Sequence, residues 1–171
     1  MKITLNSLVK IAMIAALYST VSLVLAPFSF GNIQVRVAEG LTLLPLISPL
    51  AIFGLTLGCF ITNFVGVIMG ANILGMMDVF IGTFATLIAA LLTYKLRNIT
   101  VKGFPFLSSL MPIVINAIII GAELAYVFAP EFTFAYFAIF ALEVGIGQTI
   151  AVYIVGLPIL SALKKRINLI N

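Results

Sequence analysis

Polar positions are rare in this chain, and their placement divides it into apolar helices. A helix needs about 20 apolar residues to cross the hydrocarbon core of a bilayer. The first such run spans Ser7–Ala26 and stops at Pro27; a polar stretch, Phe28–Arg36, follows. The chain is then apolar from Val37 to Met69, too long for one span and short for two. Pro45 and Pro49 break this run, because proline removes an amide donor and crowds the preceding turn. The pattern therefore predicts a short second helix, Val37–Leu46, and a third, Leu50–Met69. Further spans are predicted over Met77–Tyr94, Phe106–Phe128 and Phe134–Leu163.

The second span is short. Ten α-helical residues rise about 15 Å, half the hydrocarbon thickness. The basic residues argue that it crosses nonetheless. Lys2 and Lys10 lie at the start, Lys95, Arg97 and Lys102 between the fourth and fifth spans, and Lys164, Lys165 and Arg166 near the end of the sequence. The positive-inside rule places all three patches in the cytoplasm. An even number of crossings must then precede Lys95, which six crossings provide and five do not. Val37–Leu46 is thus expected to cross, tilted or shielded by protein. The expected fold is an all-α integral membrane protein of six transmembrane helices, one domain over residues 1–171, with both termini cytoplasmic. Its outer loops are Pro27–Arg36, Gly70–Met76 and Ala129–Thr133. Lys2 and Lys10 before an apolar run also fit a secretion signal, but no A-x-A cleavage pattern follows, so the first helix is expected to be retained.

Composition narrows the function. Of 171 residues, 63% are hydrophobic and 8% charged, against about 25% charged in a soluble domain. Six spans leave no length for an attached nucleotide-binding domain, and no G-x-x-x-x-G-K-[ST] phosphate loop occurs. There is no histidine for a metal site, triad or proton shuttle, and the single Cys59 allows neither an internal disulfide nor a cysteine cluster. The net charge of +4 comes from patches at helix ends, so it points to cytoplasmic loops rather than to nucleic acid. No nucleophile–base pair is visible, so an enzyme is not expected.

The five acids are the candidate chemistry. Arg36 and Glu39 sit at the outer mouth of the second span, as an interfacial ion pair or as a gate. Asp78 opens the fourth span, where it complements the positive helix terminus or meets a ligand. Glu131 is a solvated loop charge. Glu123 and Glu143 lie inside spans five and six. An acid at mid-membrane costs roughly 2.5–3.5 kcal/mol on insertion scales and usually faces a cavity or partner. By helix rise, Asn63 lies about 9 Å below the outer end of its span, Glu123 about 8 Å and Glu143 about 14 Å. Asn116 shares a face with Glu123, seven residues on. Gln148 lies about 140° around the helix from Glu143, so both line one pocket only if it is broad. Asn63 and Asn116 serve either a ligand or interhelical hydrogen bonds. Phe128, Phe132, Phe134, Tyr136 and Phe137 read as an interfacial aromatic belt. Small residues allow close helix approach at Gly54-x-x-x-Gly58, Gly66-x-x-x-Gly70 and Ala12-x-x-x-Ala16, the last with Ala15 and Ser19 beside it.

The segment Gly31-Asn32-Ile33-Gln34-Val35-Arg36-Val37-Ala38-Glu39-Gly40-Leu41-Thr42-Leu43-Leu44-Pro45, and the stretch from Asp78 through Tyr94-Lys95-Leu96-Arg97, resemble the QueT family. These are substrate-binding (S) components of energy-coupling factor (ECF) transporters. The likeness implies a six-helix subunit of a bacterial plasma membrane that captures a vitamin-like solute outside. For this family that solute is expected to be a queuosine precursor, a deazaguanine base. It also implies docking onto a transmembrane coupling protein and two cytoplasmic ATPases, so that ATP is used by partner subunits and no cofactor is bound here. Related S components dock through an Ala-x-x-x-Ala face on the first helix, which Ala12 and Ala16 match, with Ala15 alongside. A guanine-like edge offers adjacent N–H donors that a carboxylate accepts in parallel, and an aminomethyl group adds a cation for a second acid. Glu123, Glu143 and Asp78 are expected to accept, Asn63, Asn116 and Gln148 to read carbonyl and ring nitrogens, and Arg36 to pair with Glu39. The competing reading is a self-contained proton-coupled carrier of a small polar solute using Glu123 or Glu143; no inverted repeat supports it. An S component for a different vitamin-like solute is the other alternative.

Overall fold

The computed structural model describes residues 4–29, 36–101 and 104–170. Lys2, Lys102 and Gly31–Val35, used in the charge and resemblance arguments, lie outside the described residues. Helix α1 covers Leu5–Val24 and is capped by Thr4, whose hydroxyl accepts from the Ser7 amide. A single turn, α2, Ala26–Ser29, takes the chain past Pro27. A 3₁₀ helix covers Val37–Leu46. Then come α3, Leu50–Ile68, α4, Met76–Lys95, and α5, Phe106–Phe128. The last rod is continuous but changes type: α6, Phe134–Thr149, a π segment, Ile150–Gly156, and α7, Leu157–Ile170. Five of these rods are long and apolar enough to cross a membrane, and the 3₁₀ helix is the shorter apolar one.

The short second helix has the expected bounds but a different winding. A 3₁₀ helix rises about 2.0 Å per residue, so its ten residues reach about 20 Å rather than the 15 Å of an α-helix. Pro45, inside it, has no amide to close either an α turn onto Leu41 or a 3₁₀ turn onto Thr42, so the end of this helix is held by packing rather than by that bond. The helix is still shorter than the hydrocarbon thickness, and it is enclosed by its neighbours. The long rods follow one another around it, α1 on α3, α3 on α4, α4 on α5 and α5 on α6, and the 3₁₀ helix packs against α1, α3, α4 and α5, and against the π segment and α7. Ala38 to Leu43 are all buried. Leu41 enters a core with Tyr18, Leu55, Cys59 and Ala90, while Leu43 enters another with Ile113, Val152 and Leu160.

Glycines set the closest approaches. A Cβ on Gly54 would lie 2.7 Å from Ile14 Cβ, and one on Gly58 would lie 2.9 Å from Tyr18 Cβ, so α1 rests directly on the backbone of α3. A Cβ on Gly156 would stand 2.6 Å from the Gly40 carbonyl oxygen, so the 3₁₀ helix and the π segment meet backbone to backbone. Pro158, just past the π segment, cannot donate to the Ile154 carbonyl and crowds it, and the wider turn relieves that crowding.

Candidate functional site

Polar side chains are drawn into the bundle at the end where α4 begins. Gly70 and Gly75, with φ of 68° and 65°, turn the chain sharply between α3 and α4. Between them Asn72 is held by accepting from the Leu74 amide at 3.1 Å. Its Nδ2 then donates to Asp78 Oδ2 at 2.9 Å. The same oxygen receives Arg36 Nη2 at 2.7 Å, and Arg36 Nε donates to the Ser29 carbonyl at 3.2 Å. From α3, Asn63 Nδ2 donates to the Asp78 carbonyl at 2.8 Å. Gly82 lies one turn beyond Asp78, and a Cβ there would fall 2.2 Å from Asp78 Oδ1 and 2.8 Å from Asn63 Nδ2. Only a hydrogen at that position leaves both polar groups where they are.

Glu39 adjoins this cluster from the 3₁₀ helix, and the Tyr18 hydroxyl donates to its Oε1. Arg36, Glu39, Asn63, Asp78 and Glu123 are each at most 5% exposed. Several of their atoms have no hydrogen-bond partner among the described residues: Glu39 Oε2, Asn63 Oδ1, Asp78 Oδ1 and both carboxylate oxygens of Glu123. Three carboxyls and one guanidinium are thus buried toward one end of the bundle, with acceptor oxygens unmatched.

Several expected relations differ. Arg36 forms its ion pair with Asp78 rather than with Glu39. Arg36 precedes the helix with extended backbone, φ −76° and ψ 92°, so it does not share the helical i, i+3 register with Glu39. Glu143 is only half-buried on α6, whose inward face is formed by Val144, Gly147 and Gln148. Asn116 and Gln148 are both buried, with Asn116 Nδ2 and Gln148 Oε1 unpartnered, but they occupy a deeper level. Asn116 is about 10 Å of helix rise below Glu123. The buried polar residues thus stand at two levels, with Asn63 and Glu123 near the outer one and Asn116 and Gln148 below. Asn63 both bridges α3 to α4 and keeps its Oδ1 unpaired. Tyr18 and Asn72 belong to the cluster and were not expected there. Asn72 could be suspected from its place six residues before Asp78 in a loop, whereas Tyr18 resembles any interfacial tyrosine.

An open apolar groove of about 840 Å³ runs along α1 from Lys10 to Thr20, with α7 across it. Met13, Ala16 and Leu17 form one wall, Leu163 the other, and Leu44 of the 3₁₀ helix, with Ile47 just beyond it, lines its base. Ala12 and Ala16 are exposed on this side of α1, whereas Ala15 is buried. The expected three-alanine docking face is corrected on that point: Ala15 packs against Gly58 inside the bundle.

Apolar helices enclosing charged groups are the build of a membrane transport protein, since ionisable residues are kept within a bilayer where they meet a solute or partner. The family comparison agrees: the model described as QueT transporter matches residues 8–165, and the chain belongs to that family. It is a membrane transporter protein of several apolar spans. No curated protein and no solved structure matches it.

Proposed function

We propose that this chain is the substrate-binding membrane subunit of an ATP-driven ECF importer, and that its solute is a queuosine precursor, a deazaguanine base. The observation that carries this reading is the set of unmatched carboxylate oxygens on Glu39, Asp78 and Glu123, buried beside the single guanidinium of Arg36. Such a set suits a ligand rich in N–H donors and bearing a cation. A guanine-like edge gives paired donors to one carboxylate, with charge-assisted strength. An aminomethyl group pairs with another, and Asn63 Oδ1 accepts a further N–H. Asp78 is already engaged by Arg36 and Asn72 through Oδ2, so it offers Oδ1. Asn116 and Gln148, lying deeper, contact the solute's inner edge.

The charge pattern supports the orientation. Lys10, Lys95, Arg97 and Lys164–Arg166 lie toward the end opposite Asp78, which the positive-inside rule assigns to the cytoplasm. The polar cluster then faces outward, and the groove beside Ala12 and Ala16 faces the coupling protein, while two ATPase subunits supply the work. Native mass spectrometry of the purified chain with a panel of deazapurines, vitamins and amino acids tests the solute: a deazaguanine should be retained. Uptake into liposomes should require the coupling protein, the ATPases and ATP. Uptake by the chain alone under a proton gradient would establish the carrier reading instead.

A further inference from the structure

We infer that the 3₁₀ helix Val37–Leu46 couples the polar cluster to the apolar groove, so that filling one changes the shape of the other. This rests on the cluster being the solute site. The 3₁₀ helix contributes to the cluster at its first turn and to the groove at its last. At its first turn, Glu39 is tied to Tyr18, and Arg36, just before it, is tied to Asp78. At its last turn, Leu44 lines the groove, joined by Ile47 immediately beyond. α1 and α3 also reach both, through Tyr18 and Asn63 at the cluster and Met13 and Ala51 at the groove, but each is regular α-helix with a fixed rise; the 3₁₀ helix is the one of the three whose winding departs from α.

The element is built to change length. Runs of 3₁₀ helix beyond three or four residues are uncommon, because the hydrogen-bond geometry is poorer than in an α-helix. This one has ten residues. Rewinding all of them to α would shorten it by about 5 Å, and rewinding half by about 2.5 Å. Its neighbour is equally unsettled in winding: the π segment Ile150–Gly156 lies against it, with Gly156 on Gly40. Two segments that both depart from α winding thus meet at a backbone contact with no side chain between them. A solute that draws Glu39 from Tyr18, or Asp78 Oδ1 toward itself, alters the ties that hold the outer turn. The change in rise then moves Leu44 and Ile47 at the groove. The coupling is reciprocal, so a partner seated in the groove alters solute affinity by the same factor.

The test measures groove width on the full chain in detergent. Spin labels are placed at Met13→Cys and Ser48→Cys in a Cys59→Ala background, and distances are read by pulsed electron spin resonance. A 7-deazaguanine bearing an aminomethyl group, with binding followed by calorimetry, should shift the distance by roughly 2–5 Å, the range set by the change in rise. Asp78→Asn and Tyr18→Phe loosen the same ties without any solute and should also shift it, while Glu131→Gln should not. An unchanged distance with the base bound by calorimetry overturns the coupling and leaves the solute reading standing. If no base binds, the solute reading fails, and the two variants decide the coupling: a shift in either upholds it, and none in both overturns it.

Discussion

Arg36 Nη2 stands 2.7 Å from Asp78 Oδ2, with both side chains almost wholly sealed from solvent. This pair fastens the start of the 3₁₀ helix to the start of α4. Removing one member leaves a buried charge uncompensated, which costs about 3–5 kcal/mol. Asp78→Ala should therefore lower the thermal unfolding midpoint of the detergent-solubilised chain sharply. The double variant Arg36→Met, Asp78→Leu should recover a large part of the loss. Equal stability of Asp78→Ala and the wild type would mean that the pair does not hold these elements together.

Gly82 keeps Asp78 and Asn63 in place by its lack of a side chain. Alanine is the better helix former by about 1 kcal/mol, so Gly82→Ala should remain folded. Its methyl group would nevertheless displace Asp78 Oδ1, and the loss of one such hydrogen bond should weaken solute binding roughly 10- to 100-fold. Gly145→Ala meets only Ala117 Cβ at 3.6 Å, an ordinary contact, and should bind as the wild type does. Calorimetry on both variants makes the comparison.

Glu123 and Glu143 should separate cleanly. Glu123 is buried with both oxygens unpartnered, whereas Glu143 is half-buried at the flank of α6. Glu123→Gln exchanges one acceptor for a donor at almost constant size. It should cost about 2–4 kcal/mol of affinity, or roughly 30- to 1000-fold. Glu143→Gln, like Glu131→Gln, should change affinity less than about threefold. Titration of the three variants with the same base decides it, and the reverse order would move the site toward α6.

The alanines of α1 should divide by face. Ala12→Trp with Ala16→Trp puts bulk on the exposed side near the groove. Uptake by the assembled importer should be abolished, with solute affinity of the isolated chain kept within a few-fold. Ala15→Trp drives bulk into Gly58 and should instead reduce folded yield, read by size-exclusion chromatography. Normal uptake by the Ala12/Ala16 double variant would remove the docking role.

Much of the fold was legible because proline and charge punctuate an otherwise apolar chain. Pro45 and Pro49 delimited Val37–Leu46, and the basic patches required it to be a separate element. Its winding was not legible, since 3₁₀ and α winding share the same residues and differ through packing. The polar cluster was legible as residues and partly as a layer: depth along each helix brought Asn63 and Glu123 level. Which side chains meet across helices depends on rotation about each axis. That rotation is poorly encoded in α6, where residues on every face are apolar and Glu143 had no polar neighbour to orient it. Arg36 was paired with Glu39 because they are close in sequence, but the extended backbone at Arg36 broke the register that argument used. Tyr18 carried no signal beyond its type.

The central position of Val37–Leu46 also constrains how the chain is made. This segment emerges from the ribosome before α3, α4, α5 and the π segment, most of the walls that enclose it. Ten residues are too few to be released into lipid as an independent span. It has to enter together with α3, as a hairpin turned at Ser48 and Pro49, and to wait there with poorly shielded backbone until α5 and the last rod arrive. Biogenesis therefore ends, rather than begins, with this early segment reaching its place, and a chain cut short after α4 should be a target for membrane quality control.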